Sequence, residues 1–294
     1  MGVVNKKSNE VEILMHDKTL PSIIIPAYNE RKVIGRLLHS LYSGVYSKRF
    51  QIVVSCNGCT DNTYDYVKTE FPLIDVINIK RGSKTNAINH AESIVTGYPR
   101  LFIDADVIIS VDHVMKLIKQ ASSTHLPLLL APRARIDLKN SSIIVNYYYR
   151  TWQKTKFFII QGFGSGIYVM NRSARSKFKY FPDIIADDGF VREFFSEDQL
   201  KVVEDANSIV KAPLNIKDLI KIKSRSKLGN YQLSRLHNKT HIQKSNKTKT
   251  FLRRTTILEK CNYYCINFVS MIFAKIKESH ISSYKWDTDK SSRY

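Results

Sequence analysis

The 294-residue sequence predicts an open, mostly parallel α/β sheet flanked by helices, with a basic helical extension at the C-terminus. Three observations lead to this fold class. Short apolar runs rich in β-branched residues alternate with longer amphipathic stretches in the N-terminal half. Polar residues follow directly after several of these runs. The C-terminal third loses the alternation and becomes strongly basic.

The composition sets broad limits on function. Hydrophobic residues make up 43% of the chain and charged residues 24%, which excludes a disordered or fibrous protein. The 46 Lys and Arg residues against 26 Asp and Glu residues give a formal net charge of +20. A field of that sign attracts the phosphates of nucleotides, nucleic acid or anionic lipid, and the composition alone does not choose among the three.

The alternating elements can be justified in order along the chain. The first strand, PSIIIPAYN (21–29), is a continuous apolar run, as expected of a strand buried on both faces. Apolar residues then recur at helical spacing, beginning with Val33, Ile34, Leu37, Leu38 and Leu41. Further strands are predicted at FQIVVSCNG (50–58), LIDVINI (73–79), RLFIDAD (100–106) and LPLLLAP (126–132). The intervening helices are predicted at 30–42, 61–70, 83–96 and 112–122. Four such repeats predict parallel strands joined by right-handed crossovers.

Polar residues stand where such a sheet binds ligands, just after the carboxyl ends of its strands. Strand one ends in Ala27-Tyr28-Asn29-Glu30 and strand two in Asn57-Gly58. The fourth strand ends in Asp104-Ala105-Asp106, two carboxylates that could share magnesium or manganese with substrate phosphates. The alternative interpretation of this triplet is a solvated turn.

Two further charged features are candidates for chemistry. Lys84 begins a predicted helix after a glycine, where an amine and a helix N-terminus can bind an anion, although most lysines are simply exposed. Asp187 and Asp188 are adjacent like charges, an arrangement that raises one pKa and can supply a general base. Acids at the start of a short helix are also favoured on structural grounds alone.

The second half of the chain is organised differently. Gly162, Gly164 and Gly166 lead into a predicted strand at 167–170. Between Lys217 and Arg254 there are twelve Lys and Arg residues and one acid, so this basic tract carries net +11 of the total charge. Together with CINFVSMIFAKI (265–276), the tract could contact an anionic membrane, bind nucleic acid, or remain solvated.

The order of these motifs is more specific than any one of them. PSIIIPAYNE, IVVSCNGCTDNT, GSKTNAIN, LFIDAD, GFGSGIYVMN and IIADDGF together resemble the family 2 glycosyltransferases and their Rossmann-like GT-A fold. The resemblance extends from about residue 20 to 195 and continues weakly to 229. We therefore predict a GT-A domain at 20–214. The polar residues 1–19 are predicted to form a flexible N-terminal arm, and 215–294 a basic, mainly helical region that could contact membrane or acceptor.

The resemblance also implies a role for individual residues. Pro26, Tyr28, Glu30, Asn57, Lys84 and Asp104 would bind the nucleotide. Asp104 and Asp106 would hold a divalent cation, Mn or Mg. Asp188 matches the catalytic base of the family's Glu-Asp pair and Asp187 stands in the Glu position, while Gly164, Ser165 and Gly166 would form the wall of the acceptor pocket.

The activity implied is inverting transfer of a single hexose from a nucleotide-diphosphate sugar to a hydroxyl of a glycan or glycolipid in surface polysaccharide biosynthesis. The expected donor is UDP-linked. Three positions depart from the family pattern. The usual Asp-Asp-Gly-Ser is Cys56-Asn57-Gly58-Cys59, and the Glu-Asp pair is Asp187-Asp188. The Gln-x-x-Arg-Trp motif of processive synthases is replaced by Ile222, Arg225 and Ser226, which favours addition of one sugar.

The sequence also leaves two alternative functions open and suggests where in the cell the protein acts. The altered signature residues leave open a catalytically inactive nucleotide-sugar-binding protein. The positive charge leaves open a nucleic-acid-binding protein, although the sequence contains no nucleic-acid-binding motif. No apolar run follows a basic start near Met1, and none approaches the roughly 20 residues of a membrane span. We therefore expect a cytoplasmic protein, with peripheral contact at the inner face of the cell membrane as a further possibility.

Overall fold

The fold is described from a computed structural model, which covers residues 20–162, 164–240 and 254–278. The predicted N-terminal arm at 1–19 lies outside the described residues. So do residues 241–253 of the basic tract and residues 279–294 of the C-terminal region.

A single seven-stranded sheet forms the centre of the domain. Its strands are β1 (Ser22–Ala27), β2 (Gln51–Asn57), β3 (Asp75–Ile79), β4 (Arg100–Ile103), β5 (Leu129–Asp137), β6 (Ile167–Met170) and β7 (Leu200–Lys211). They lie in the order β3-β2-β1-β4-β6-β5-β7. The pairs β1–β2, β2–β3, β1–β4 and β5–β7 are parallel, which confirms a mostly parallel α/β sheet.

Helices cover the sheet and extend beyond it at the C-terminus. They are α1 (Ile34–Tyr46), α2 (Thr63–Glu70), α3 (Lys84–Ile94), α4 (Val111–Ala121), α5 (Ile143–Trp152), α6 (Arg172–Arg175), α7 (Asp187–Arg192), α8 (Ile216–Thr240) and α9 (Ile257–Glu278). A short π-helical turn spans Phe157–Gln161 and a 3₁₀ turn spans Glu197–Gln199. The helices α8 and α9 form the predicted C-terminal helical extension.

One strand outside the four predicted repeats runs against the others, as a mostly parallel sheet allows. Strand β6 runs antiparallel to both of its neighbours and separates β4 from β5. The alternation of strands and helices indicates which segments are strands, but it carries no information about which strands are adjacent. A later segment can therefore enter the sheet between two earlier strands and satisfy the hydrogen bonds of both.

The element boundaries differ from the prediction by a few residues at most sites. Helix α1 begins at Ile34 rather than at residue 30, because the backbone N–H groups of Val33 and Ile34 donate to the carbonyl of Glu30 in a preceding turn. Strand β5 continues to Asp137 because it pairs with β7 as far as Lys211. Pairing between distant segments thus decides where the strand ends.

The apolar core lies on both faces of the sheet. In β1, Ile23 and Ile25 pack into a cluster with α1 and α4, whereas Ile24 packs into a second cluster with α3 and α7. Burial on both faces explains the continuous apolar run, since alternate side chains enter opposite layers. A third cluster joins α5, α8 and α9 and includes Tyr148, which is 1% exposed.

A buried ion network fixes the orientation of α3. The Glu92 carboxylate accepts from Arg100 Nη1 at 2.8 Å and from Arg175 Nη2 at 2.6 Å, with all three side chains at most 10% exposed. Breaking such a buried network costs about 3–5 kcal/mol, because it leaves an uncompensated charge. The last turns of α3 are thereby fixed to β4 and α6, and this holds the first residue of α3, Lys84, in place.

Candidate functional site

The candidate site lies at the carboxyl edge of the parallel strands, where the polar residues of β1, β2 and β4 converge. The loop after β1 is fastened to the loop after β2. Asn29, which adopts a left-handed conformation (φ 54°), accepts from the backbone N–H of Thr60 at 2.8 Å. The Glu30 backbone N–H donates to Thr63 Oγ1 at 2.9 Å. The two loops therefore form one rigid rim.

Asn57, at the end of β2, presents a buried acceptor at this rim. Its amide nitrogen donates to the carbonyl of Ala27 at 2.8 Å, while among the described residues no donor satisfies its Oδ1 atom. Leaving a buried acceptor unsatisfied costs about 1–3 kcal/mol. The described residues therefore leave the acceptor capacity of this atom unused.

The backbone is closely packed around Asn57. Gly58 has a φ of 60°, and a Cβ at this position would lie 2.9 Å from the backbone of Gly82. A Cβ on Gly82 would in turn lie 3.8 Å from the Tyr28 ring. Pro26 is buried in β1, where it lies opposite Ser55 of β2 and just before the loop that forms the rim.

The most connected feature of the site is a group of three charges. The Lys84 ammonium lies 2.7 Å from Asp104 Oδ1 and 2.9 Å from Asp187 Oδ1. These residues begin α3, follow β4 and begin α7, so the structure brings together three sites predicted from separate motifs. Although burial opposes the charge, the two carboxylates raise the pKa of Lys84 above its ordinary value and keep it protonated.

Asp187 and Asp188 have different environments despite being adjacent. The Asp187 side chain is 3% exposed, and burial raises its pKa against the opposing effect of Lys84. Its second oxygen accepts from the hydroxyl of Tyr168 at 3.0 Å. Asp188 is partly exposed, and its Oδ1 accepts from the backbone N–H of Gly189 at 2.7 Å. Asp188 is therefore the more accessible carboxylate of the two.

The glycine-rich loop before β6 contacts the carboxylate cluster directly. The Asp104 backbone N–H donates to the Gly166 carbonyl at 2.8 Å. Gly166 has a φ of 74°, and a Cβ there would lie 3.1 Å from Asp104 Oδ2 and 2.7 Å from Val107. Ser165 is buried and its hydroxyl donates to the Gly162 carbonyl at 2.9 Å, so this side chain shapes the loop.

Asp104 and Asp106 form a donor set that fits a divalent cation completed by substrate oxygens. Both side chains are partly exposed at the end of β4. Within the described ranges, no group of three or more His, Cys, Asp or Glu side chains could hold a metal ion. Magnesium is commonly bound by one or two carboxylates together with substrate phosphates and water, so a two-carboxylate set is sufficient for that kind of site.

The structure also reveals site residues that the sequence analysis missed. Tyr168 stacks on Phe102 with ring centroids 4.8 Å apart and holds Asp187. Trp152 and Phe157 both line the position of Gly164, at 3.7 and 3.5 Å from a Cβ placed there. Aromatic residues in a buried pattern look like ordinary core in sequence, so no local signal marks them as parts of a site.

The C-terminal helices carry no membrane span. None of the helices in the described part of the chain is both long enough and apolar enough to cross a bilayer.

Two comparisons with known sequences gave different outcomes. The sequence model of Glycosyl transferase family 2 matches residues 22–178, slightly more than half of the chain. A comparison with curated protein sequences finds no significant match.

Several solved structures share the fold at low sequence identity. Mannosyltransferase PcManGT from Pyrobaculum calidifontis, in complex with GDP-Man and Mn²⁺, is 17% identical, with a TM-score of 0.57 over 92% of this chain and 78% of that chain. S. aureus TarS 1-349 in complex with UDP-GlcNAc is 14% identical, with a TM-score of 0.51 over 92% of this chain and 93% of that chain. These similarities show the GT-A fold.

The match to the longer TarS chain is partial. S. aureus TarS is 19% identical, with a TM-score of 0.49 over 70% of this chain. The chain spans only 38% of that protein, and 64% of one structure of its 1-349 fragment.

The charge cluster predicts a pH-dependent stability defect in Lys84→Met. At pH 7 the variant should lose about 3–5 kcal/mol of the free energy of unfolding, because Asp187 remains buried without its cation. Burial then raises the folded-state pKa of Asp187 further above its unfolded value of about 3.9. A carboxyl group whose pKa is higher in the folded state than in the unfolded state stabilises the fold through its protonated form. This contribution is complete below the unfolded-state pKa and is lost as the pH rises through the folded-state pKa. The deficit should therefore shrink between pH 7 and pH 5.

Urea denaturation at both pH values measures this effect. Lys119→Met, which removes an exposed lysine of α4, is the control and should unfold like the wild type. An equal deficit of Lys84→Met at the two pH values would show that Asp187 does not titrate with the loss of its partner.

Proposed function

Because the chain belongs to glycosyl transferase family 2 and has a GT-A fold, we propose that it is an inverting glycosyltransferase. It transfers one hexose from a nucleotide-diphosphate sugar to a hydroxyl of a glycan or glycolipid acceptor in surface polysaccharide biosynthesis. The observation that carries the proposal is the cluster of Lys84, Asp104 and Asp187 beside the accessible Asp188, at the carboxyl edge of the sheet. The proposed catalytic domain is 20–214, and 215–294 contacts membrane or acceptor.

The donor nucleotide binds at the rim formed by the loops after β1 and β2, where Pro26, Tyr28 and Glu30 surround the base. The unsatisfied Oδ1 of Asn57 accepts from a ring N–H of that base. Uracil and guanine have such a group, and neutral cytosine does not. UDP is the proposed carrier, and the structural neighbours were solved with UDP-GlcNAc and with GDP-Man.

Asp104 and Asp106 would hold a divalent cation, Mn or Mg, at the diphosphate. Such an ion neutralises the charge that develops on the leaving nucleotide. The neighbour from Pyrobaculum calidifontis was solved with Mn²⁺, which supports this assignment. Lys84 contributes a fixed positive charge next to Asp104, since its ammonium lies 2.7 Å from Asp104 Oδ1.

Asp188 is the proposed base, and it removes the proton of the acceptor hydroxyl as that oxygen attacks the anomeric carbon. A single displacement of this kind inverts the anomeric configuration. Asp187 has a different role: its contacts with Lys84 and Tyr168 occupy both of its oxygens and fix the start of α7. Gly164, Ser165 and Gly166 form the wall against which the acceptor lies.

The amphipathic helix α9 supports peripheral membrane contact as part of this function. Its exposed side chains include Leu258, Tyr264, Phe268, Phe273 and Ile276, each at least 48% exposed. Lys260, Lys275 and Lys277 are exposed on the same helix. An apolar face bordered by lysines matches a bilayer surface with anionic lipid. We therefore propose that this face rests on the inner leaflet and brings the site to a lipid-linked acceptor.

The first prediction of the proposed function concerns nucleotide binding. UDP with manganese should raise the melting temperature by several degrees, because a ligand at 100 times its Kd adds about 2.7 kcal/mol of stability. CDP should bind more weakly than UDP, since it carries the same diphosphate but offers Asn57 no ring N–H. Asp106→Asn should abolish the manganese-dependent part of the shift, whereas the exposed Asp205→Asn should retain it. A protein that binds no nucleotide under these conditions is not a nucleotide-sugar enzyme, and nucleic-acid retention would then be tested.

Removing the base separates catalysis from binding. Asp188→Asn should reduce UDP release from UDP-sugars in the presence of envelope glycans by about 10²–10⁴-fold, since this is the usual contribution of a general base. Its UDP-induced thermal shift should equal that of the wild type. Near-normal turnover in Asp188→Asn would assign the proton to another group. UDP binding without turnover in the wild type would favour the inactive sugar-nucleotide binder.

Membrane contact gives a third prediction. Binding to vesicles of phosphatidylcholine with phosphatidylglycerol should exceed binding to phosphatidylcholine alone. The double variant Phe268→Asn/Ile276→Asn should bind at least about tenfold more weakly, because burying each large apolar side chain contributes about 1.5–3 kcal/mol. Leu126→Asn, at an exposed position before β5, is the control for exposed apolar area. Equal sedimentation of all three proteins would show that α9 does not contact the bilayer.

A further inference from the structure

Helix α8 places two lysines one turn apart on the same side of the helix, near the glycine-rich loop. Lys223 and Lys227 are four residues apart and both are partly buried. Within the described ranges, neither ammonium is paired with a carboxylate. Burial lowers the pKa of Lys223 to about 8, and repulsion by Lys227 acts in the same direction. The pair thus has a positive charge that the described residues leave uncompensated.

Three aromatic rings of α5 surround the Lys223 ammonium. Its Nζ lies 5.2 Å from the ring centroid of Tyr148, 5.3 Å from that of Tyr149 and 4.8 Å from that of Trp152. The negative faces of the rings attract the cation, but they carry no net charge. The cage therefore orients the ammonium without neutralising it.

The cage is connected to the proposed acceptor wall. Trp152 contacts Lys223 on one side and the Gly164 position on the other, where a Cβ would lie 3.7 Å from its ring. Phe157 lines the same glycine, and the guanidinium of Arg192 lies 4.9 Å from the Phe157 ring centroid. Gly166, at the far end of the loop, contacts Asp104. The loop thus lies between the donor cluster and the lysine pair.

A purely structural role does not account for these residues. A methionine or leucine at position 223 would fill an aromatic cage without the cost of desolvating a charge. Two lysines a turn apart can instead contact different oxygens of one phosphate, a group that lysine binds as a compact point charge. On the basis of the function proposed above, we propose that Lys223 and Lys227 bind a phosphate group carried by the acceptor, next to the wall formed by Gly164.

The test uses glycerol 3-phosphate as the probe, with UDP and manganese present so that the donor site is occupied. Calorimetric titration should show saturable binding to the full chain and none with glycerol. Lys223→Gln/Lys227→Gln should weaken this binding at least about tenfold, since charge-assisted hydrogen bonds are lost. Lys119→Gln removes one charge at an exposed site and should bind like the wild type. Vesicles of phosphatidylcholine with phosphatidic acid test a lipid phosphate in the same way.

The outcomes separate this inference from the proposed function. UDP affinity is measured in the same proteins, and its equality in the wild type and the double variant shows that the donor site is intact. Lysine-dependent binding of glycerol 3-phosphate indicates a soluble phosphorylated acceptor, and lysine-dependent binding of vesicles alone indicates a lipid headgroup. If neither probe binds, or if binding does not depend on the lysines, the inference is overturned even when UDP binds normally.

Two further variants protect the test against a folding defect. Lys223→Met fills the cage with an apolar side chain of similar length and should melt no lower than the wild type. Lys227→Gln changes only the second lysine. Both should still bind glycerol 3-phosphate more weakly. A fall in stability of Lys223→Met with unchanged phosphate binding would show that Lys223 serves the packing of α5 and α8 instead.

Discussion

The site depends on one buried ammonium placed between two carboxylates. Lys84 contacts Asp104 and Asp187 within 2.9 Å, and these residues come from the start of α3, the end of β4 and the start of α7. Lys84 and Asp187 would be costly to bury alone, so their contact stabilises the mutual arrangement of the three segments. Asp188 follows Asp187 directly, and its position relative to the end of β4 is therefore fixed by the same contact.

The antiparallel direction of β6 explains how the glycine-rich loop reaches the cluster of Lys84, Asp104 and Asp187. Ile103, the last residue of β4, pairs with Ile167, the first residue of β6. Because the strands run in opposite directions, the loop that precedes β6 lies beside the residues that follow β4. A parallel β6 would have placed Gly164–Gly166 at the opposite edge of the sheet. The same register sets Tyr168 against Phe102 and directs its hydroxyl to Asp187.

Helix α8 contacts two different parts of the domain. On one side of α8, Gln232 accepts from the backbone N–H of Ile185 at 2.8 Å, next to the start of α7. On the other side, Lys223 enters the aromatic cage of α5. A charge kept in such surroundings reduces stability, which natural proteins tolerate chiefly at functional positions. The helix that holds α7 thus also carries the lysine that enters this cage.

Local sequence patterns were enough to predict the class of fold and several polar residues at the carboxyl edge of the sheet. Continuous apolar runs such as that of β1 indicate strands buried on both faces, and the residues that follow them lie at one edge, so Asn57 and Asp104 could be placed there from the pattern alone. Three features appear only in the folded chain: β6 lies between β4 and β5, Asp187 is buried while Asp188 is accessible, and Lys223 lies among three rings. These facts depend on contacts between segments far apart in the chain, and local periodicity carries no information about them.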